Sequence, residues 1–286
     1  MAYMDGSNSP YDPWLALVVG NSRLHWGAFS GDHWWGGWHT PYLSKHQLAH
    51  LRAGGFKPSV WSDLAVTTPL QTTGPPFPEF WLASVVQPQA DLVRDVCQHY
   101  PGLHLVTLSQ VPLTHTYPSL GVDRALALVG AGAVYGWPVL VIDGGTALTL
   151  TAGVNQGLVG GAILPGIALQ LRSLHDATDQ LPPVTAQILT WPARWARDTP
   201  AAMASGILHS LVAGVADFIT TWWQDFPGGQ VVITGGDGPT LLAGLNHCDR
   251  ELASRLNYDP DVVFWGLRLC RQETVGRWSS ADLGLS

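Results

Sequence analysis

Charge is scarce in this sequence. Asp, Glu, Lys and Arg together make up 12% of its 286 residues while hydrophobic residues make up 46%, and that charged share is about half the usual one. So apolar a chain is not disordered, and its length suits one large domain or two of ordinary size. Basic residues are the scarcer kind, 14 against 21 acidic, for a formal net charge of −7 and no Lys/Arg cluster. A phosphate backbone is held by clustered Lys and Arg, so nucleic acid is excluded as the main partner. An anionic ligand would need a local positive site against the global field. Cysteine is nearly missing. Cys97, Cys248 and Cys270 are far apart with no CxxC pair, which argues against a disulfide framework or structural zinc site and fits a reducing cytoplasm. The first ten residues have no basic start and no apolar core, so they are not expected to be a signal peptide. No apolar run approaches the ~20 residues that span a bilayer, so no membrane is expected. GxxxxGK[ST] and GxSxG are both absent, which removes a Walker-type nucleotide site and the usual hydrolase elbow. His46 and His50 are four apart, as on one helix face, but no third ligand accompanies them and no His-ligated metal is expected.

Tryptophan, by contrast, is abundant, with 14 copies. Trp34, Trp35 and Trp38 could form an exposed binding surface. Aromatic cross-strand pairs in a β-meander account for them more simply. Residues 15–19 are a short apolar run that stops at Gly20-Asn21-Ser22, after which Leu24, Trp26 and Ala28 alternate with more polar neighbours. This predicts a strand, a tight turn and a second strand. The pattern returns at 139–142, stops at Asp143-Gly144-Gly145-Thr146 and resumes as alternation over 147–152. Aligning Gly20 with Gly145 sets the copies 125 positions apart, close to half the chain, so an internal duplication is expected.

Helices are expected over 90–100, 120–136, 167–177 and 200–226. In the second, Ala and Gly stand where two helices can approach closely. The last has Thr199 at its N-cap position and Pro200 at its first helical position. Residues 69–78 read as a Pro/Gly/Thr-rich loop. Residues 157–166 read as a strand with a glycine-rich exit. Residues 231–234 read as a buried strand running into Gly235-Gly236, with a helix from Pro239. Each half thus begins with strands and continues with helices, which predicts an α/β protein of two domains with a cleft between them.

Three segments can carry chemistry. At Asp143-Gly144-Gly145-Thr146, a turn between strands aims backbone N–H groups and a hydroxyl at a phosphate oxygen, and glycine lets the backbone come close. A carboxylate beside a polyphosphate makes sense only through a cation, Mg²⁺ or a monovalent ion. An ordinary hairpin turn is the plain alternative. Thr234-Gly235-Gly236-Asp237-Gly238 can floor an adenosine, or be a simple strand-to-helix loop. Gly121-Val122-Asp123-Arg124 opens a helix. Asp123 is either a helix-end charge paired with its neighbour, or a general base with a cation beside it for an anionic substrate.

In order along the chain, Gly20-Asn21-Ser22, Gly121-Val122-Asp123-Arg124, 143–149 (DGGTALT), 160–166 (GGAILPG), Leu181-Pro182, 199–206 (TPAAMASG) and Thr234-Gly235-Gly236 resemble the type III pantothenate kinases. The resemblance runs over roughly residues 15 to 245. It implies two ribonuclease H-like domains of the actin/hexokinase/Hsp70 superfamily, here 1–120 and 121–286. It implies ATP-dependent phosphorylation of pantothenate to 4'-phosphopantothenate, the first step toward coenzyme A. The implied cofactors are ATP with Mg²⁺ and a monovalent cation, K⁺ or NH₄⁺, in a cytoplasmic homodimer. By the same resemblance Asp123 is the proton acceptor, and Tyr117, Gly121, Val122, Arg124 and Thr199 line the pantothenate site. Asp143 is the monovalent-cation ligand. Val18, Val19, Gly20, Asn21, Ser22, Arg23, Leu24 and His25 form the first phosphate loop, and Thr146, Gly235 and Gly236 contact ATP.

The chain's main departure from the family lies in the first turn. Where the pattern has Asp-x-Gly-Asn-Thr, it has Val18-Val19-Gly20-Asn21-Ser22, so a cation ligand is lost. The stretch from Thr116 to Gly121 is also shorter than the usual lead-in. Two other readings follow. One is a catalytically impaired nucleotide-binding regulator of the Bvg accessory factor type, which Val18 favours and Asp123, Asp143 and Thr146 oppose. The other is a sugar- or acetate-type kinase, which the GVDR and TPAAMASG segments oppose.

Overall fold

A computed structural model describes residues 13–70, 76–100, 102–184 and 191–282. The first ten residues and the middle of the 69–78 loop therefore lie outside the described residues. The described residues group into two compact units. The first draws on 1–112, 117–130 and 263–286, and the second on 113–116 and 131–262. The first unit thus includes 122–130 and the chain from 263 on, which lie beyond the 120/121 division expected from the sequence.

The first unit is built on strands β1 (Pro13–Val19), β2 (Leu24–Ser30), β3 (His33–Thr40), β4 (Glu79–Ser84) and β5 (Leu103–Val106), in the order β3-β2-β1-β4-β5. β1 to β3 are an antiparallel meander, and β4 and β5 join in parallel. Helices α1 (Lys45–Ala53), α2 (Pro58–Asp63) and α3 (Gln87–Cys97) supply one covering layer. Leu15, Leu17 and Val19 of β1 pack there with Leu48, Trp61 and Val93. Trp14, Ala16 and Val18, which point to the other face, are buried as well, as in a sheet covered on both sides. The tryptophans are the pairs expected of a meander. Trp38 sits opposite Trp26, and Trp26 meets Trp61 edge to face with ring centroids 4.8 Å apart. The indole N–H of Trp26 donates to Thr40 Oγ1 at 3.0 Å. His46 and His50 do lie on one helix, α1, and no group of three metal-ligating side chains occurs among the described residues.

Helix α4 (Val122–Tyr135) follows. The second unit then repeats the plan with β6 (Val139–Gly144), β7 (Ala147–Val154), β8 (Gly157–Pro165), α5 (Ile167–Asp176), α6 (Thr199–Asp225), β9 (Gln230–Thr234), α7 (Gly238–Cys248), α8 (Arg250–Ala253) and β10 (Asn257–Tyr258); α9 (Val262–Asp282) is the last element among the described residues. Its order β8-β7-β6-β9-β10, with β6 to β8 antiparallel and β9 and β10 parallel, is the order of the first sheet strand for strand. The duplication read from Gly20 and Gly145 is therefore a duplication of topology. In each copy the glycine is the first residue past the first strand. Its N–H closes the turn, Gly20 to Arg23 O and Gly145 to Ala147 O, both at 3.1 Å.

Two expectations are corrected. Helix α6 begins at Thr199, and its N-cap is Asp198, whose carboxylate accepts from the Ala201 N–H at 2.8 Å. A carboxylate is as good a cap as a hydroxyl and also complements the helix dipole. Second, α6 is long and apolar enough, by length and composition, to cross a membrane. Its apolarity has a local cause. The face carrying Leu208, Leu211, Val212, Val215 and Ile219 fills the core of the second unit beneath β6, β7 and β9. The close helix approach expected along 120–136 is made by glycine on the partner helix, because a Cβ on Gly266 of α9 would overlap the Leu126 carbonyl.

Candidate active site

In the first unit, the segment before α4 is shaped by one glycine. Gly121 stands at the helix entry and its carbonyl accepts from Ala125 N–H at 3.1 Å. A Cβ there would lie 2.5 Å from Asp123 Oδ1, so only glycine leaves this volume to the carboxyl. Asp123 Oδ1 accepts from the Arg124 N–H at 2.7 Å. Burial pushes the Asp123 carboxyl above its ordinary value, and the Arg124 N–H and guanidinium pull back less strongly. Arg124 is itself buried, and its Nη1 donates to the Tyr117 hydroxyl at 3.1 Å. Three of the residues expected at the substrate site thus form one cluster: a carboxyl of raised basicity, a guanidinium and a phenol. The set can accept a proton from an alcohol and hold an anion nearby. Val122 is buried in the helix base, so its side chain faces the core.

The first turn joins this cluster through a residue that the motifs do not contain. The Val85 N–H donates to the Val19 carbonyl at 3.2 Å, and Val85 Cγ1 would be 3.6 Å from a Cβ on Gly121. Val85 therefore sits between the end of β1 and the GVDR entry. Its only sequence signal is its place just after a buried strand. In the turn itself Val18, Val19 and Leu24 are buried, while Asn21, Ser22 and Arg23 are exposed and His25 is partly so. The side chains open to a ligand are those after Gly20. The Gly20 carbonyl is fixed by the Tyr42 hydroxyl at 2.7 Å.

In the second unit the structure brings three separate glycine motifs together. β6 and β9 run in parallel with Asp143 beside Thr234. Gly235 follows with φ +83°, and a Cβ on it would overlap both Asp143 Oδ1 and the Gly144 carbonyl. Asp237 N–H donates to that carbonyl at 2.8 Å. On the other side the Gly166 N–H donates to Thr146 O at 2.9 Å, and a Cβ on Gly166 would overlap the Gly145 carbonyl. The turn 143–146 is thus clamped between the exits of β8 and β9, with Thr146 exposed at its tip. An Asp143 carboxylate oxygen and the Gly144 carbonyl oxygen border the same small space, the one a Cβ on Gly235 would fill. An all-oxygen set of this kind suits a hard cation.

Thr199 is exposed at the first turn of α6. It lines a hollow of about 520 Å³ with Leu181, Arg197, Asp198, Ala202 and Met203. The walls of this hollow include none of the turn residues. Leu181 and Thr199 belong to separate motifs of the sequence, and the hollow brings them together.

A family model for type III pantothenate kinases matches residues 14–221. The chain is 45% identical over 261 residues to the type III pantothenate kinase of Nostoc sp. (strain PCC 7120), covering 89% of this chain and 93% of that protein. It is 44% identical over 271 residues to that of Synechococcus sp. (strain JA-3-3Ab), with 93% and 95% covered. Among solved structures it is similar to a conserved Baf family protein from Campylobacter jejuni described as a transcriptional activator, with TM-score 0.56, 18% identity, and 91% and 98% of the two chains covered. At that identity the likeness shows the fold alone, two α/β units.

Proposed function

This chain belongs to the type III pantothenate kinase family, and we infer that it transfers the γ-phosphoryl group of ATP to the primary hydroxyl of pantothenate, the first step toward coenzyme A. The observation that carries the reading is the Asp123 cluster. A carboxyl seated by Gly121 and made more basic by burial stands beside a buried guanidinium.

Asp123 accepts the alcohol proton as the new P–O bond forms. Arg124 and Tyr117 hold the substrate carboxylate, which a chain of net charge −7 would otherwise repel. Gly121 and Val122 supply backbone, and Thr199 offers its hydroxyl to pantothenate. Residues 18–25, Thr146, Gly235 and Gly236 hold ATP, the first group through its turn backbone and exposed side chains. Asp143 would hold the monovalent cation, K⁺ or NH₄⁺, and Mg²⁺ would arrive with the phosphates and neutralise their charge. The chain's own part in such a transfer is positioning and charge stabilisation. We place the enzyme in the cytoplasm as a homodimer. All three cysteines are free, and Val159 and Ile163 are exposed on the edge strand β8, an apolar surface that a second copy would cover.

The test is direct. Purified protein is incubated with ATP, Mg²⁺ and pantothenate, under K⁺ or Na⁺, beside Asp123→Asn. Phosphopantothenate under K⁺ and its loss in the variant support the reading. No product under K⁺ overturns it and leaves the nucleotide-binding regulator that Val18 suggests.

A further inference from the structure

The row of side chains that starts at Val18 ends on two histidines. Register pairing puts Val18 opposite His25 on β2, and His25 opposite His39 on β3. Residues directly opposed on antiparallel strands share a face, so the three form one line across the sheet beside the first phosphate turn. The two imidazoles meet edge to face with ring centroids 4.7 Å apart. A Cβ on Gly20 would lie 3.2 Å from His25 Nε2, so this ring borders the turn backbone itself. Val18 is sealed from solvent at 3% exposure, whereas His39 is exposed. Burial first, then His39 and Arg23, hold His25 down to about 4, and burial and Arg23 lower His39. The charged and titratable groups acting on the pair are Arg23 and the rings themselves, with no carboxylate among them.

We propose that His25 and His39 form an imidazole pair that receives the phosphate end of ATP directly, in place of the cation-bridged carboxylate that the family pattern puts at position 18, with His39 as a nucleotide-binding residue outside the turn. The proposal rests on the kinase reading above. Position 18 has no oxygen with which to recruit a cation, and its neighbours in the row are N–H donors. Each neutral imidazole offers one N–H to a phosphate oxygen. Burial first, and then the positive neighbours, lower the basicity of the pair; a bound polyanion acts the other way, so ATP binding should draw protons onto the rings.

The experiment compares wild type with His39→Ala, an exposed substitution that leaves the core intact. The KM for ATP should rise about tenfold in the variant, the size of one charge-assisted hydrogen bond, with kcat and the KM for pantothenate within about twofold. In wild type the KM for ATP should climb from pH 6 to pH 8, and the variant should flatten that climb. Calorimetry of a non-hydrolysable ATP analogue, repeated in buffers of different ionisation enthalpy, should show proton uptake by wild type and less by the variant. An unchanged KM for ATP, an unchanged pH profile or equal proton uptake would overturn the pair's role. Zinc binding that His39→Ala abolishes, with ATP affinity intact, would overturn it in favour of a metal site. The calorimetric arm needs no turnover, so it separates failure of this proposal from failure of the kinase reading.

Discussion

The carboxyl of Asp123 occupies the volume that a side chain at Gly121 would need, 2.5 Å from the place of its Cβ. The two are two residues apart at the mouth of α4, and the smaller fixes the position of the larger. Gly121→Ala should therefore act on chemistry more than on folding. A displacement of about 1 Å can cost about 100-fold in rate. We expect kcat to fall by about that factor, with the KM for ATP near wild type. Steady-state kinetics with each substrate varied would check it, and an unimpaired kcat would mean that the carboxyl position is not critical.

The raised basicity of Asp123 has a consequence for stability. The folded state holds this proton more tightly than the unfolded chain does, so near the carboxylate range it binds more protons. Stability attributable to Asp123 therefore falls as pH rises from the unfolded value through the folded one. Asp123→Asn removes that penalty. At pH 7 the variant should melt no lower than wild type while its kcat falls about 10²- to 10⁴-fold. Thermal unfolding and kinetics on the same samples would check both. A variant that melts well below wild type would mean that the ionised carboxylate is structural. With Asp123 as the proposed base, which must be ionised to act, kcat/KM for pantothenate should drop as pH falls through the raised value.

Gly235→Ala strikes the second unit. Its φ of +83° lies in the left-handed region, which costs a non-glycine residue about 1–2 kcal/mol, and the new Cβ would displace Asp143 and press on the Gly144 carbonyl. The expected result is a Tm lowered by a few degrees and a loss of K⁺ stimulation that exceeds the loss of ATP binding. Activity titrated with K⁺ at saturating ATP measures it. Retention of full K⁺ stimulation would separate Asp143 from the cation.

The terminal helix offers a test of stability alone. Arg271 of α9 grips both carboxylate oxygens of Glu79 on β4, at 2.8 and 3.1 Å. Burial pushes the Glu79 carboxyl up, but Arg271 and the Trp81 N–H outweigh it and hold it below the ordinary value. This stability is present above the unfolded pKa and lost as pH falls through the folded one. Arg271→Ala should cost about 3 kcal/mol by stranding a largely buried carboxylate. Urea unfolding near pH 7 and at acid pH would show the gap close as Glu79 protonates in both proteins.

Much of this was legible in the sequence because it was periodic. The paired strand-turn-strand units around Gly20 and Gly145 announced a duplicated topology, and the apolar runs placed most strands and helices within a few residues. The GVDR and DGGT motifs marked segments that the structure shows to be tightly built. The helix cap was misread because Asp198 and Thr199 are both good capping residues and only backbone geometry separates them. Val85, beside the Asp123 cluster, and His39, of the proposed imidazole pair, were not legible in the sequence. One matters through its backbone N–H, and the other only because β3 aligns it with His25. Gly266 likewise carries no local signal, since its reason is a carbonyl of another helix.

The most direct test of the central claim is phosphopantothenate formation by wild type and Asp123→Asn under K⁺, with both shown to be folded. Product from wild type and a loss of at least about 100-fold in the variant is the expected result. A variant as active as wild type would contradict the assignment of Asp123 as the base, and a folded wild type that makes no product would contradict the kinase function itself.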